Sequence, residues 1–265
     1  MINVLKRGLP FGFVLFLVLM WEFFVRFTEI DPWMLPAPSQ IGKETIILAI
    51  QLPAPLWATT KIALSGLGAG TAIGVLTAVI LHLFSLLRRM VYPLIILSQN
   101  IPMIALAPLL VMWFGFGAFP KILVVTLICF FPVTVSLLGG FEQTDRILLT
   151  YLKMAGASRL QIFFRCEWPS ALPSFFSGLK LSATYSIMGA VIAEWLGAEK
   201  GIGVMMQLAS STFKTDRVFV AILFIAALSL AFFAAITLSE RLVLRSYWKR
   251  GRKNETGSEK RMFRL

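Results

Sequence analysis

YLKMAGASRLQIFFRCEWPSALP, residues 151–173, places Lys153, Arg159, Arg165 and Glu167 between long apolar blocks. Its first half, with ILLT before it, reads as a short helix that Gly156 stops. Its second half reads as another helix, opened by Ser158 and Gln161 at the spacing of a capping box and ended by Pro169. Two short helices meeting at a glycine make a compact knob. The tip of that knob, Ala155, Gly156 and Ala157, is small enough for another protein to approach closely, so the shape predicts a docking element. What flanks it decides the fold.

The 265-residue chain is 58% apolar and only 14% charged, where a soluble domain carries about 25% charged residues. Several stretches near the roughly 20 residues that a helix needs to cross a bilayer are almost free of charge. The reading is an all-α, polytopic membrane protein with six transmembrane helices, at about residues 9–27, 59–84, 91–114, 121–138, 173–196 and 218–238. A cytoplasmic loop at 141–172 and a basic tail at 243–265 complete a single transmembrane domain over 1–265. The start resembles a signal peptide, but Trp21, Glu22 and Arg26 follow where a small-residue cleavage site belongs, so it is read as an uncleaved first helix.

Between the first two spans, Pro32, Pro36 and Pro38 hold the chain extended. Ser39 then caps a short interfacial helix, residues 40–50, bearing Lys43 and Glu44. In the second span Gly66, Gly70 and Gly74 recur every four residues and clear one helical face for close backbone approach. The third carries Gln99, Asn100, Pro102 and Pro108, tolerable only where loosened backbone faces protein or a watery cavity.

A net charge of +12 raises the question of nucleic acid, and its placement answers it. With the N-terminus inside, 18 of the 25 Lys and Arg residues fall on the inner face and 7 on the outer. That is positive-inside bias: both termini are cytoplasmic, residues 141–172 face the cytosol, and no nucleic-acid partner is implied. Cys129 in an apolar run and Cys166 in a polar loop are unrelated thiols, so neither a disulfide framework nor a metal site is expected. No grouping of nucleophile, base and acid stands out; no catalytic residue is assigned.

The knob resembles the cytoplasmic EAA loop of binding-protein-dependent ABC importer permeases. Gly156 matches that motif's glycine, Pro169 its late proline, and AGAS at 155–158 its usual centre. Thr150, Tyr151 and Leu152 stand where Glu-Ala-Ala is usual, which removes a polar anchor and predicts a loop held by shape and apolar contact. LPAPSQI (35–41), IPMIALAPLLVMWFGFG (101–117), KILVVTLICFFPV (121–133) and AEWLGAEKGIG (193–203) resemble the branch that serves nitrate, sulfonates, taurine and thiamine-precursor pyrimidines. The last of these looks most like the pyrimidine members.

The resemblance implies a type I ABC importer permease fold in the bacterial inner membrane, surrounded by lipid. It implies a path for a small solute, most like a hydroxymethylpyrimidine-type pyrimidine, with a sulfonate, taurine or nitrate as the alternative. Its partners would be a cytosolic ATPase, an extracytoplasmic solute-binding protein and a second permease copy, giving a homodimer. This chain has no GxxxxGK[ST] run, so ATP and Mg are expected on the partner and no cofactor here. Docking residues carried over are Thr150, Leu152, Met154, Ala155, Gly156, Ala157, Ser158, Arg159 and Pro169. A secondary transporter would instead call for paired intramembrane carboxylates or an internal repeat with broken helices. A membrane scaffold would leave the polar third span unexplained.

Several residues keep two readings. Arg159 and Arg165 either meet acidic groups on the ATPase or simply enforce orientation. Gln99, Asn100, Thr184, Tyr185 and Ser186 either line the path or bond helix to helix. Glu194 either contacts substrate or is a structural acid paired with a neighbouring helix or cap. Glu22 and Lys61 snorkel to the outer surface, and His82 is a membrane-interface histidine. The third and fifth spans lack a cation near their middles, which favours a neutral substrate.

Overall fold

In the computed structural model the backbone of residues 2–262 and the side chains of residues 12–245 are described. Lys6, Arg7 and the side chains of the basic tail beyond residue 245 lie outside them. The elements are α1 (Ile2–Phe27), α2 (Pro38–Leu48), α3 (Pro53–Leu83), α4 (Ser85–Ser98), α5 (Met103–Phe114), α6 (Ala118–Glu142), α7 (Arg146–Met154), α8 (Arg159–Ile162), a π turn (Phe163–Glu167), α9 (Trp168–Glu194), α10 (Ile202–Ser211) and α11 (Thr215–Met262). No strand occurs among the described residues.

Helices α3, α6 and α9 form the centre, and small residues let them meet. A Cβ on Gly70 of α3 would stand 2.7 Å from Thr126 O of α6, and one on Gly178 of α9 would stand 2.6 Å from Pro132 O. The expected glycine strip therefore does face a neighbouring backbone. One apolar cluster (Ala63, Leu67, Val125, Cys129, Ala183, Ile187) fills the middle of the three-helix centre. A second (Ala78, Leu81, Leu137, Leu138, Phe141, Phe163) closes the end beside the knob. α11 lies against α9 and α2, where Ile41, Leu48, Leu52 and Val220 are buried together.

Among the described residues, four helical stretches, Pro53–Leu83, Ala118–Glu142, Arg159–Glu194 and Thr215–Arg245, are long and apolar enough to cross a membrane. The expected third span, 91–114, is not one straight helix: α4 and α5 meet at 99° across a four-residue break, the shape of a broken span or a re-entrant loop. Pro102, unable to donate a backbone N–H and biasing Ile101 away from helix, sits at that break.

The start of the fifth span is corrected too. Pro169 does not end the knob's second helix; α8, the π turn and α9 run on as one helical stretch, Arg159–Glu194, with Pro169 the second residue of α9. The π turn before it, closed by Trp168 N donating to Phe163 O, widens the coil ahead of the ring. Cys166, expected in a polar loop, is buried in that turn. Ser39 does not cap α2. Ala37 is the N-cap, Pro38 takes the first position, and Ser39 N and Oγ instead donate to Glu22 at 2.9 and 2.8 Å, tying α1 to α2. The expected tail at 243–265 continues α11 as helix to Met262.

Candidate functional site

The break between α4 and α5 opens a cavity of about 430 Å³ against α6 and α9. Its floor is Ser98, Gln99, Ile101, Met103 and Leu106 from the broken span; Phe130, Phe131 and Pro132 face in from α6, and Tyr185, Met188 and Ile192 from α9. No lining residue carries a charge. Ser98 Oγ donates to Ile95 O at 2.8 Å, whereas no intrachain hydrogen bond occupies the Gln99 amide or the Tyr185 hydroxyl among the described residues. These are uncommitted polar groups above an aromatic wall. The cations nearest in chain position are spent elsewhere: Lys180 Nζ lies 3.0 Å from Glu240 Oε2, and Lys121 is buried and donates to Gly197 O at 3.4 Å.

Of the expected path residues, Gln99 and Tyr185 come together here. Asn100 is exposed and donates to Ile96 O at 3.2 Å. Thr184 Oγ1 donates to Lys180 O at 3.3 Å and Ser186 Oγ to Ala183 O at 2.8 Å, both bonding back along α9. Phe130 and Phe131 were not singled out in the sequence, although the FFP triplet in α6 puts two rings beside a proline.

Glu194 does not line this cavity. Its side chain is fully buried, and Oε2 accepts from Gly203 N at 2.8 Å. Thr59 Oγ1 of α3 accepts from Ile202 N at 2.9 Å. Two acceptors from other helices thus cap the first turn of α10, where unpaired N–H groups and the helix dipole favour a carboxylate. Gly201 and Gly203 stand against the Glu194 side chain, leaving no room for a Cβ.

At the opposite end, the knob differs from a pair of equal helices. α7 buries no residue. Ile147, Tyr151 and Met154, at helical spacing, are 80%, 63% and 77% exposed, an uncovered apolar stripe. Thr150 Oγ1 bonds back to Arg146 O at 2.9 Å. Leu152 accepts Ala157 N on its carbonyl at 3.0 Å, closing the turn at Gly156, whose φ is +77°. Nothing lies within 4 Å of where a Gly156 Cβ would sit, so the tip is open. Ser158 and Gln161 form the expected capping box, with Gln161 N donating to Ser158 Oγ at 3.3 Å and Ser158 N to Gln161 Oε1 at 2.9 Å.

Arg159, exposed on α8, donates from Nη2 to Leu83 O at 3.0 Å. His82, expected at a bare interface, lies with Nε2 2.9 Å from Glu167 Oε2. Chain distance hides both contacts, since the partners stand 76 and 85 residues apart.

Residues 70–245 match the profile of the family described as binding-protein-dependent transport system inner membrane component. Over 236 residues the chain is 37% identical to the formylaminopyrimidine transport permease protein ThiX of Halalkalibacterium halodurans, covering 89% of this chain and 94% of that one. It is 31% identical over 229 residues to the taurine transport system permease protein TauC of Escherichia coli, covering 83% of each. The fold is similar to an inward-facing structure of the MetNI methionine ABC transporter, with a TM-score of 0.62, 18% identity, and coverage of 76% of this chain and 97% of that one.

Proposed function

The chain belongs to the family of binding-protein-dependent transport system inner membrane components, as the permease of an ABC importer, and we propose that its cargo is a small uncharged pyrimidine of the formylaminopyrimidine class. The observation that carries this reading is the uncharged, aromatic-walled cavity at the broken span, with the Gln99 amide and the Tyr185 hydroxyl uncommitted. A flat heterocycle matches those features: its faces lie against rings, and its ring nitrogens and amino groups find an amide and a phenol. A sulfonate such as taurine would need an unpaired cation in the wall, and the wall has none. The cavity is open on one side, and a second copy of the chain is read as closing it.

The cytosolic ATPase is read as docking on the α7 stripe of Ile147, Tyr151 and Met154 and on the Gly156 tip. The solute-binding protein meets the opposite, extracytoplasmic face, and both termini lie in the cytoplasm. With no glutamate at Thr150, docking rests on apolar contact and shape, which is what the exposed stripe supplies.

The test is uptake into proteoliposomes holding the permease, its ATPase and its binding protein. Labelled formylaminopyrimidine is expected to accumulate on ATP addition and taurine is not. Tyr185→Phe and Gln99→Ala are each expected to lower pyrimidine uptake about 5- to 30-fold, the worth of one lost polar contact of about 1–2 kcal/mol. Uptake of taurine in preference to pyrimidine would overturn the assignment.

A further inference from the structure

The cytoplasmic corner where α3 passes into α4 is held from two points of the segment that follows the docking tip. Arg159, first residue of α8, donates to Leu83 O at 3.0 Å. Glu167, last residue of the π turn, meets His82 Nε2 at 2.9 Å. These grips land on consecutive residues, 82 and 83. Immediately beyond them, Phe84 leaves helical geometry at φ −114° and ψ 90°, so α4 starts in a new direction. The His82 ring is stacked on Phe141 of α6 at 4.4 Å between centroids, and Phe163 of the π turn lies 6.1 Å away.

We propose that His82, Glu167 and Arg159 are positioning residues that form a clasp passing displacement of the docking loop to the α3–α4 corner, and through α4 to the wall of the cavity. Three observations carry it. The His82 and Glu167 side chains are only 18% and 17% exposed. A largely buried pair of hydrogen-bonded polar side chains holds one geometry. The π turn supplying Glu167 is a coil form that concentrates at functional sites. Finally, α4 runs from this corner to Ser98 in the cavity floor, with Gln99 as its C-cap and Pro93 inside it. At 1.5 Å per residue its length is about 20 Å, so a shift of its first turn reaches the cavity through a helix that Pro93 can bend.

The clasp rests on the docking role read for the α7–Gly156 tip, and its test keeps the two apart. The fully reconstituted transporter is assayed for ATPase retention, ATP hydrolysis and solute imported per ATP. His82→Ala and Glu167→Ala are each expected to retain the ATPase and keep hydrolysis within about twofold. Import per ATP is expected to fall about tenfold, inside the usual range of coupling between sites. The double variant is expected to be no worse than either single, since one shared contact is lost once. The exchange His82→Glu with Glu167→His is expected to recover most of the loss, which a packing role would not produce.

Should the alanine variants fail to accumulate, His82→Gln and Glu167→Leu keep the bulk and separate bond from packing. The first is expected to import per ATP as the native chain does, the second about tenfold less. Parallel loss of hydrolysis and import, additive losses in the double variant, or unchanged import would overturn the clasp. Release of the ATPase by these variants would also overturn it, making the pair part of the docking surface. Retention of the ATPase by Gly156→Arg would sink the docking reading instead.

Discussion

Adding one methyl group to α3 at either of two neighbouring glycines is expected to have opposite consequences. At Gly70 a Cβ would stand 2.7 Å from Thr126 O, 2.8 Å from Cys129 Cβ and 3.0 Å from Phe130 N. Two of those three atoms belong to the backbone of α6 and cannot swing away. For contact to become ordinary at 3.4 Å, α6 must retreat by roughly 0.7 Å. Overpacking of this kind costs about 1–3 kcal/mol. At Gly68, two residues away in the same helix, nothing lies within 4 Å of the added atom. Both substitutions share the helix-propensity gain of about 1 kcal/mol, so the difference between them isolates the packing term. Gly70→Ala is therefore expected to unfold about 1–3 kcal/mol more easily than Gly68→Ala. In a thermal melt of the detergent-purified chain that is about 2–4 °C for each kcal/mol. Because α6 carries Phe130 and Phe131 into the cavity, Gly70→Ala is also expected to lower import, and Gly68→Ala is not. A Gly70→Ala melt at or above that of Gly68→Ala would refute direct α3–α6 backbone contact.

Three further outcomes follow from other parts of the molecule. Glu194→Ala leaves the buried Gly203 N–H without its acceptor, at a cost of about 1–3 kcal/mol; amide exchange at Gly203 is expected to accelerate, and unchanged exchange would remove Glu194 as the anchor of α10. Gly156→Ala meets only the penalty of a side chain at φ +77°, about 1–2 kcal/mol, and is expected to keep the ATPase, whereas Gly156→Arg fills the open tip and is expected to abolish co-purification while the protein still inserts. For orientation, a cysteine at Thr212 is expected to label from outside intact cells and one at Ser258 only after lysis, with little background from the buried Cys129 and Cys166; outside labelling of position 258 would reverse the topology.

Much of the helical plan was legible because its causes are local. Apolar run length, the capping-box spacing of Ser158 and Gln161, the four-residue glycine rhythm of α3 and the uneven placement of Lys and Arg are properties of short windows. Where the reading missed, proline was often the reason. Pro169 looks like a stop, yet the π turn ahead of it makes room for its ring, and Pro173 stands inside the same helix. In the third span the prolines announced trouble with regular helix, but not that the chain would turn through 99°, since the angle depends on what α5 packs against.

The candidate site divides along the same line. By itself the sequence determined that the chain crosses the membrane as helices, that the Gly156 knob sits between them, and that the third and fifth spans hold no cation near their middles; each follows from residue type and spacing. Only the tertiary structure decided which polar groups are spent. Glu194 and Thr59 cap α10, Lys121 and Lys180 are taken by Gly197 O and Glu240, Arg159 and Glu167 grip Leu83 and His82, and the Gln99 amide and Tyr185 hydroxyl are left over at the cavity. A hydrogen bond between residues 76 or 85 positions apart has no signature in a local window. Such a contact depends on how α3 and the segment after the docking tip come together, and that is a property of the packed whole.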